Sequence, residues 1–180
     1  MMLIPDFGQV RSDDYNLNLS PYEIYYDERR SFFTEGTELF DKAGIFYSRR
    51  IGGTPLDYWS LEDQLNEREK IESNPSELQL LNATKISGKT NGGTSIGFLN
   101  AVSLRSKAEI TDTITQSSRT VNTQEITNYN VTAVQQSLRN NSYISLINTN
   151  MLIPESDFMA NVAGTEFKFA EKTNTYAIFG

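Results

Sequence analysis

The chain has 180 residues, enough for one ordinary domain with a sizeable core, and sets 16 Lys and Arg against 23 Asp and Glu for a net charge of −7. A nucleic-acid partner needs a basic face to meet phosphate, so this balance argues against one. Cysteine and histidine are both absent, which removes disulfides, thiolate metal sites, the usual zinc sites and every histidine-based catalytic triad.

The first stretch, "MMLIPDFGQV", has no basic segment and only a few apolar residues before Pro5, so it does not read as a signal peptide. Nothing further along approaches the roughly 18 apolar residues of a spanning helix. The abrupt start leaves two expectations, a cytosolic protein or numbering that begins inside a longer one. Residues 20–36, "SPYEIYYDERRSFFTEG", then gather Tyr22, Tyr25, Tyr26, Phe32 and Phe33 around Asp27, Glu28, Arg29 and Arg30. A dry core accepts the rings and rejects unpaired ions, and a solvated loop does the reverse. Both fit in a wet, walled interior, where charges pair and rings pack on the wall.

Residues 52–77 read as a charged loop insertion that holds Tyr58 and the only tryptophan, Trp59. Within it "SLEDQLNEREKIES" (60–73) predicts a short helix. Ser60 with Asp63 three positions on resembles a capping box, and Leu61, Leu65 and Ile71 make a thin apolar stripe. Tyr58 and Trp59 are a candidate sugar-stacking pair, or rings that pin the loop to its own protein.

From Leu78 onward, runs rich in Thr, Val, Ile, Tyr and Phe alternate with turn signals. They predict strands over 79–89, 94–105, 127–139, 142–151, 159–170 and 175–180, in an antiparallel meander. Asn91-Gly92-Gly93, "RNNS" (139–142) and "EKTNT" (171–175) are tight connections. Between them lie longer links, 106–126 and a shorter one around Pro154. Alternation of short and long connections is the habit of an outer-membrane β-barrel, with short periplasmic turns and longer outer loops, and a soluble sandwich can also produce it over so few turns. In 127–139 Tyr129, Val131 and Ala133 share one face and Asn128, Asn130, Thr132 and Gln136 the other. In a barrel the first set is expected to face lipid and the second water.

Four ordered motifs carry a resemblance: "PDFGQVRSD" (5–13), "YEIYYDERRSFFTEG" (22–36), "IFYSRRIGG" (45–53) and "NATKISGKTNGGTSIGFLNAV" (82–102). They are similar to the start of the barrel region in a bacterial outer-membrane β-barrel family of unassigned function, found mostly after a carbohydrate-binding module similar to family nine. Members tend to read "FFPEKRPFFLEG" and "FYSRRIG". Here the prolines of the first motif are lost while its charges survive, and residues 52–77 are longer than the family pattern. No such module lies within these 180 residues.

The resemblance implies an all-β fold, an antiparallel meander forming part of a transmembrane outer-membrane β-barrel in a Gram-negative cell, with a short helix in a long loop. Six strands are fewer than the roughly eight that close such a barrel, and the last residues "TYAIFG" read as strand. Residues 1–180 are therefore expected to be the N-terminal part of a barrel domain within a larger protein. Along its polar inner wall, Glu28, Arg29, Arg30, Glu35, Arg49 and Arg50 form a candidate lumen charge network. The expected partners are outer-membrane lipid and, through the missing module, glycan; no cofactor, metal or catalytic residue is called for. The function implied is transport or surface handling of glycan-related material without enzymatic activity. Two alternatives stand beside it, a soluble β-rich carbohydrate-binding module, and a glycan hydrolase using a carboxylate pair such as Glu28 and Glu35.

Overall fold

The computed structural model describes Met2–Leu3 and residues 26–180. The motif at 5–13, Tyr22, Tyr25 and most of the opening stretch lie outside the described residues. The strands are β1 (Met2–Leu3), β2 (Glu69–Ser73), β3 (Leu80–Lys89), β4 (Thr94–Ser103), β5 (Ser106–Asp112), β6 (Ser118–Gln124), β7 (Thr127–Ser137), β8 (Tyr143–Ile153), β9 (Phe158–Ala170) and β10 (Ala177–Phe179). Seven form one antiparallel sheet in the order β1-β3-β4-β7-β8-β9-β10, and β2-β5-β6 form a second. The large sheet is open, with β1 and β10 at its edges, and among the described residues it does not close into a barrel.

The meander follows the expected runs closely, because each tight turn sits on residues that accept positive φ. Gly93 has φ +84°, Asn140 and Asn141 have +58° and +55°, and Asn174 has +55°. Two successive positive values, as at Asn140 and Asn141, are what a type I′ hairpin turn requires, and Asn is among the residues with a side chain that tolerate them best.

Three expectations are corrected. The link 106–126 is a hairpin, β5 and β6, set in its own small sheet. The helix over 60–73 does not form: a three-residue 3-10 turn, Glu62–Gln64, is followed by β2. Its apolar stripe is too thin for a helix face, and Leu61, Leu65 and Ile71 instead pack with Ala108, Ile110 and Val121. The Ser60 hydroxyl donates to the Asp57 carbonyl at 3.3 Å instead of capping.

The third correction concerns the sense of the sheet. Tyr129, Val131 and Ala133 do not face outward; they are buried beneath residues 26–51, which cross this face as an irregular segment with one α-helical turn, α1 (Ser31–Thr34), and a 3-10 turn at Ser48–Arg50. Phe33, Phe40 and Ile51 from the segment meet Leu80, Ala83, Leu99, Ala101, Val131 and Ile147 from the sheet, and these make the main core. The cover is partial, since Phe158 and Val162, on the same face of β9 by register, stay exposed.

Candidate functional site

Residues 26–51 bring the two charged motifs side by side. Arg30, 6% exposed, reaches beneath the segment. Its Nε and Nη2 donate to the two Glu28 carboxylate oxygens at 2.8 and 2.6 Å, Nη1 donates to the Ile51 carbonyl at 2.5 Å, and Nη2 also donates to the Ser48 carbonyl at 2.8 Å. The guanidinium carbon lies 4.2 Å from the centre of the Phe33 ring. Ser48 completes the cluster, its hydroxyl donating to Glu28 at 2.6 Å. A planar guanidinium satisfies a carboxylate and two carbonyls at once, which an ammonium cannot do with that geometry. Burial alone would raise the Glu28 carboxyl, but hydrogen bonds from the Arg30 guanidinium, the Ser48 hydroxyl and the Arg30 backbone N–H outweigh it and hold the pKa at about 2.

The other members of the expected network are placed differently. Arg49 donates through Nε and Nη2 to the Asp27 carbonyl at 3.1 and 2.9 Å. Arg29 is exposed, its backbone N–H donating to Glu28 at 3.1 Å. Arg50 is exposed at the end of the 3-10 turn Ser48–Arg50. Glu35 contributes its carbonyl, which accepts from Lys85 Nζ. The motifs "DERR" and "SRR" therefore do meet, through the Ser48 hydroxyl on Glu28 and through guanidinium bonds to the Ser48 and Asp27 carbonyls, while the one carboxylate-guanidinium pair, Glu28–Arg30, lies within "DERR".

Two contacts that sequence reasoning missed fasten the segment to the sheet. Lys85 on β3 donates to the Phe32 carbonyl at 2.5 Å and to that of Glu35, so it binds the end of α1. Glu166 on β9 accepts from the Ala43 N–H at 2.9 Å, Lys42 Nζ at 3.3 Å and the Tyr143 hydroxyl at 2.6 Å. Two mid-strand glycines make room for the segment. A Cβ at Gly164 would stand 3.0 Å from Ala43 Cβ, and Gly97 lies against Phe40. A glycine inside a strand signals close approach, and that signal was readable.

The opposite face has a different chemistry. Residues paired in register point the same way, so each strand can be assigned position by position. The charged residues of the large sheet's strands are Lys85, Lys89, Glu166 and Lys168. All four fall on the face that the segment covers, because they pair with Leu99, Ser95, Ser145 and Tyr143. The outward face carries no charge, and it exposes Ile86, Ile96, Phe98, Ile144, Leu146, Met159 and Phe169. In a chain that is 22% charged, such a distribution is selective.

Tyr58 and Trp59 lie in the loop that leads to the small sheet. Their rings meet edge to face, 4.8 Å apart at 82°, and Trp59 is 72% exposed. The loop is fastened by the Asp57 N–H to the Thr123 carbonyl at 3.1 Å and the Leu56 N–H to Gln124 at 3.0 Å. Elsewhere Glu69, hydrogen-bonded by Arg119 and then by the Asn66 N–H, is also held at about 2. A glycosidic general acid needs a raised pKa, and both of these carboxyls move the other way. Among the described residues no three acidic side chains come together as a metal site, and no helix is long and apolar enough to cross a membrane.

A family model described as "Domain of unknown function (DUF5916)" matches residues 1–180. No curated protein and no solved structure matches the chain.

Proposed function

Because the chain belongs to the DUF5916 family, whose description assigns no activity, we propose a function from geometry: the large sheet is part of the wall of an outer-membrane β-barrel, and residues 26–51 sit on its lumen side. The carrying observation is the one-sided distribution of charge, with Lys85, Lys89, Glu166 and Lys168 all on the covered face and none on the outward one. A water-facing sheet surface gains solubility from charge and is rarely left with none across so many strands. A lipid-facing strand excludes charge, which costs about 2–4 kcal/mol at the midplane for Arg or Lys, while its lumen side stays polar. Antiparallel pairing of neighbouring strands suits that wall, but the expected alternation of short and long links is not found, because 154–157 is as short as the turn at 90–93 and only the β4–β7 connection, 104–126, is long.

With the segment seated on the lumen side, its Glu28–Arg30 cluster acts as a structural fastening, and the barrel serves passage or surface anchoring of polar material, glycan among it. Exposed Trp59 beside Tyr58 supports the glycan part of this reading, since a free aromatic face can stack on a sugar ring. The test is fractionation of the complete gene product in its own cell. Recovery with the outer membrane, resistant to alkaline extraction and with mobility that shifts on heating, is expected; recovery in the soluble fraction rejects the proposal.

A further inference from the structure

Lipid accounts for the apolar positions of the outward face but not for the one row that is polar on every strand it crosses. Thr84 pairs with Asn100, Asn100 with Asn130, Asn130 with Asn150 and Asn150 with Asn161, so five adjacent strands present a continuous transverse line of polar side chains. Asn128 and Asn148 flank it. Toward the tight turns Ile86, Phe98, Ile96, Val134 and Leu146 lie among Thr132 and Thr165; on the other side Val102, Leu152 and Met159 lie with Asn82.

The amides are partly satisfied among themselves, in two separate halves. Asn100 Nδ2 donates to Asn128 and Asn130 at 2.7 and 2.8 Å, and Asn130 Nδ2 donates to Asn128 at 3.0 Å. Asn148 and Asn161 exchange bonds at 3.0 and 3.2 Å. Asn150, between the halves, has only a 3.5 Å contact from Nδ2 to the Ala160 carbonyl. In water that shortfall would be met by solvent, whereas hydrocarbon offers no donor or acceptor.

From this row we infer that the outward face pairs with a second copy of the same chain in the membrane, through contact centred on Asn130 and Asn150. This rests on the lipid-facing reading above. A primary amide both donates and accepts, so a row of asparagines is complementary to itself, as an isologous interface requires. Two copies inserted in one bilayer share orientation and depth, which makes their two-fold axis normal to the membrane and brings like depths together. With strands tilted as in membrane barrels, by about 35–45°, the two rows cross instead of running side by side. They touch near mid-row, where Asn150 has spare bonding capacity. The absence of charge suits the centre of an interface, and polar side chains facing one another in lipid are a known source of association between membrane segments.

The experiment uses the complete protein in native outer membranes, in a background without other cysteines, with Asn150→Cys and Thr84→Cys compared under mild oxidation. Disulfide-linked dimer is expected for the mid-row position and only background for the row's end. In detergent, the unmodified protein should have the mass of two copies, Asn150→Leu together with Asn130→Leu that of one, and Asn150→Gln should keep the dimer. The heat-dependent shift in mobility reports that each variant is folded. A membrane-inserted monomer, or equal cross-linking at both positions, overturns the pairing and leaves the lipid-facing reading intact. Recovery in the soluble fraction overturns both.

Discussion

The ring of Phe40 occupies the place where a side chain at Gly97 would begin: a Cβ built there would lie 2.9 Å from Phe40 Cζ and 3.1 Å from Cε1. The segment is therefore seated in a notch of the sheet. Gly97→Ala is expected to destabilise that seating by about 1–3 kcal/mol, as overpacking does. Gly88→Ala, on the same sheet but with nothing within 4 Å of the added Cβ, should be near neutral. Hydrogen exchange of the Phe40 amide, which donates to the Thr37 carbonyl at 2.7 Å, checks this; equal protection in the two variants would show the notch to be immaterial.

The Glu28–Arg30 pair makes the segment acid-sensitive. The Glu28 carboxyl sits at about 2 in the folded protein against 4.5 when free. A depressed folded value contributes stability that is full above about pH 4.5 and is lost as the pH falls toward 2. The gap is worth at most about 3 kcal/mol. Protection of the Ile51 amide, bonded to the Ser48 carbonyl at 2.9 Å, should thus fall through this window. In Glu28→Gln it should be lower at neutral pH and lack the acid step. Arg30→Ala should cost more, about 3–5 kcal/mol, because it leaves a carboxylate in a largely buried place without its cation. An acid step that survives in Glu28→Gln would assign the dependence to another group.

Arg105 offers a contrast in exposure. It pairs with Glu125 and Glu155 and so joins three of the connections at the long-link end of the sheet, but about a third of its side chain is exposed and half of Glu155's is. Arg105→Ala is expected to cost less than about 1 kcal/mol, and less still in high salt. A thermal melt at low and high ionic strength decides it; a larger cost that salt leaves unchanged would mean that the junction is a structural anchor.

Period-two patterning and turn chemistry made the meander legible, since Asn140 and Asn141 could only sit in a turn of their type and the strands on either side had to pair. Which face of β7 is covered was not legible. Tyr129, Val131 and Ala133 read as the apolar face, and whether lipid or another part of the chain meets that face depends on residues nearly a hundred positions away. The β5–β6 hairpin was hidden for a related reason. Its core contribution is only Ala108 and Ile110, too little to stand out within a polar run until Leu61 is seen to pack on it. Gly97 and Gly164 marked close approach, but the sequence does not say of what. Of the candidate site, "DERR" and "SRR" were visible as motifs that belong together. That Arg30 spends most of its hydrogen bonds on Glu28 and on carbonyls, with Arg49 going to the Asp27 carbonyl, is a property of backbone geometry that composition does not encode.

The most decisive prediction places one charge on the outward face. Leu146 is 53% exposed and lies between Val134 and Thr165 in register. If that face is in water, Leu146→Arg removes no buried contact of consequence and should change stability by no more than about 0.5 kcal/mol. If it is in lipid, the guanidinium must be desolvated or must snorkel, at about 2–4 kcal/mol near the midplane. Thr120→Arg, on an exposed position of β6 in the small sheet, provides the matched control, because its surroundings are the same under either reading. Urea titrations of both variants and of the unmodified protein, reconstituted in lipid vesicles, should place the Leu146→Arg midpoint well below the other two. Coincident midpoints for all three would put the outward face of the sheet in water.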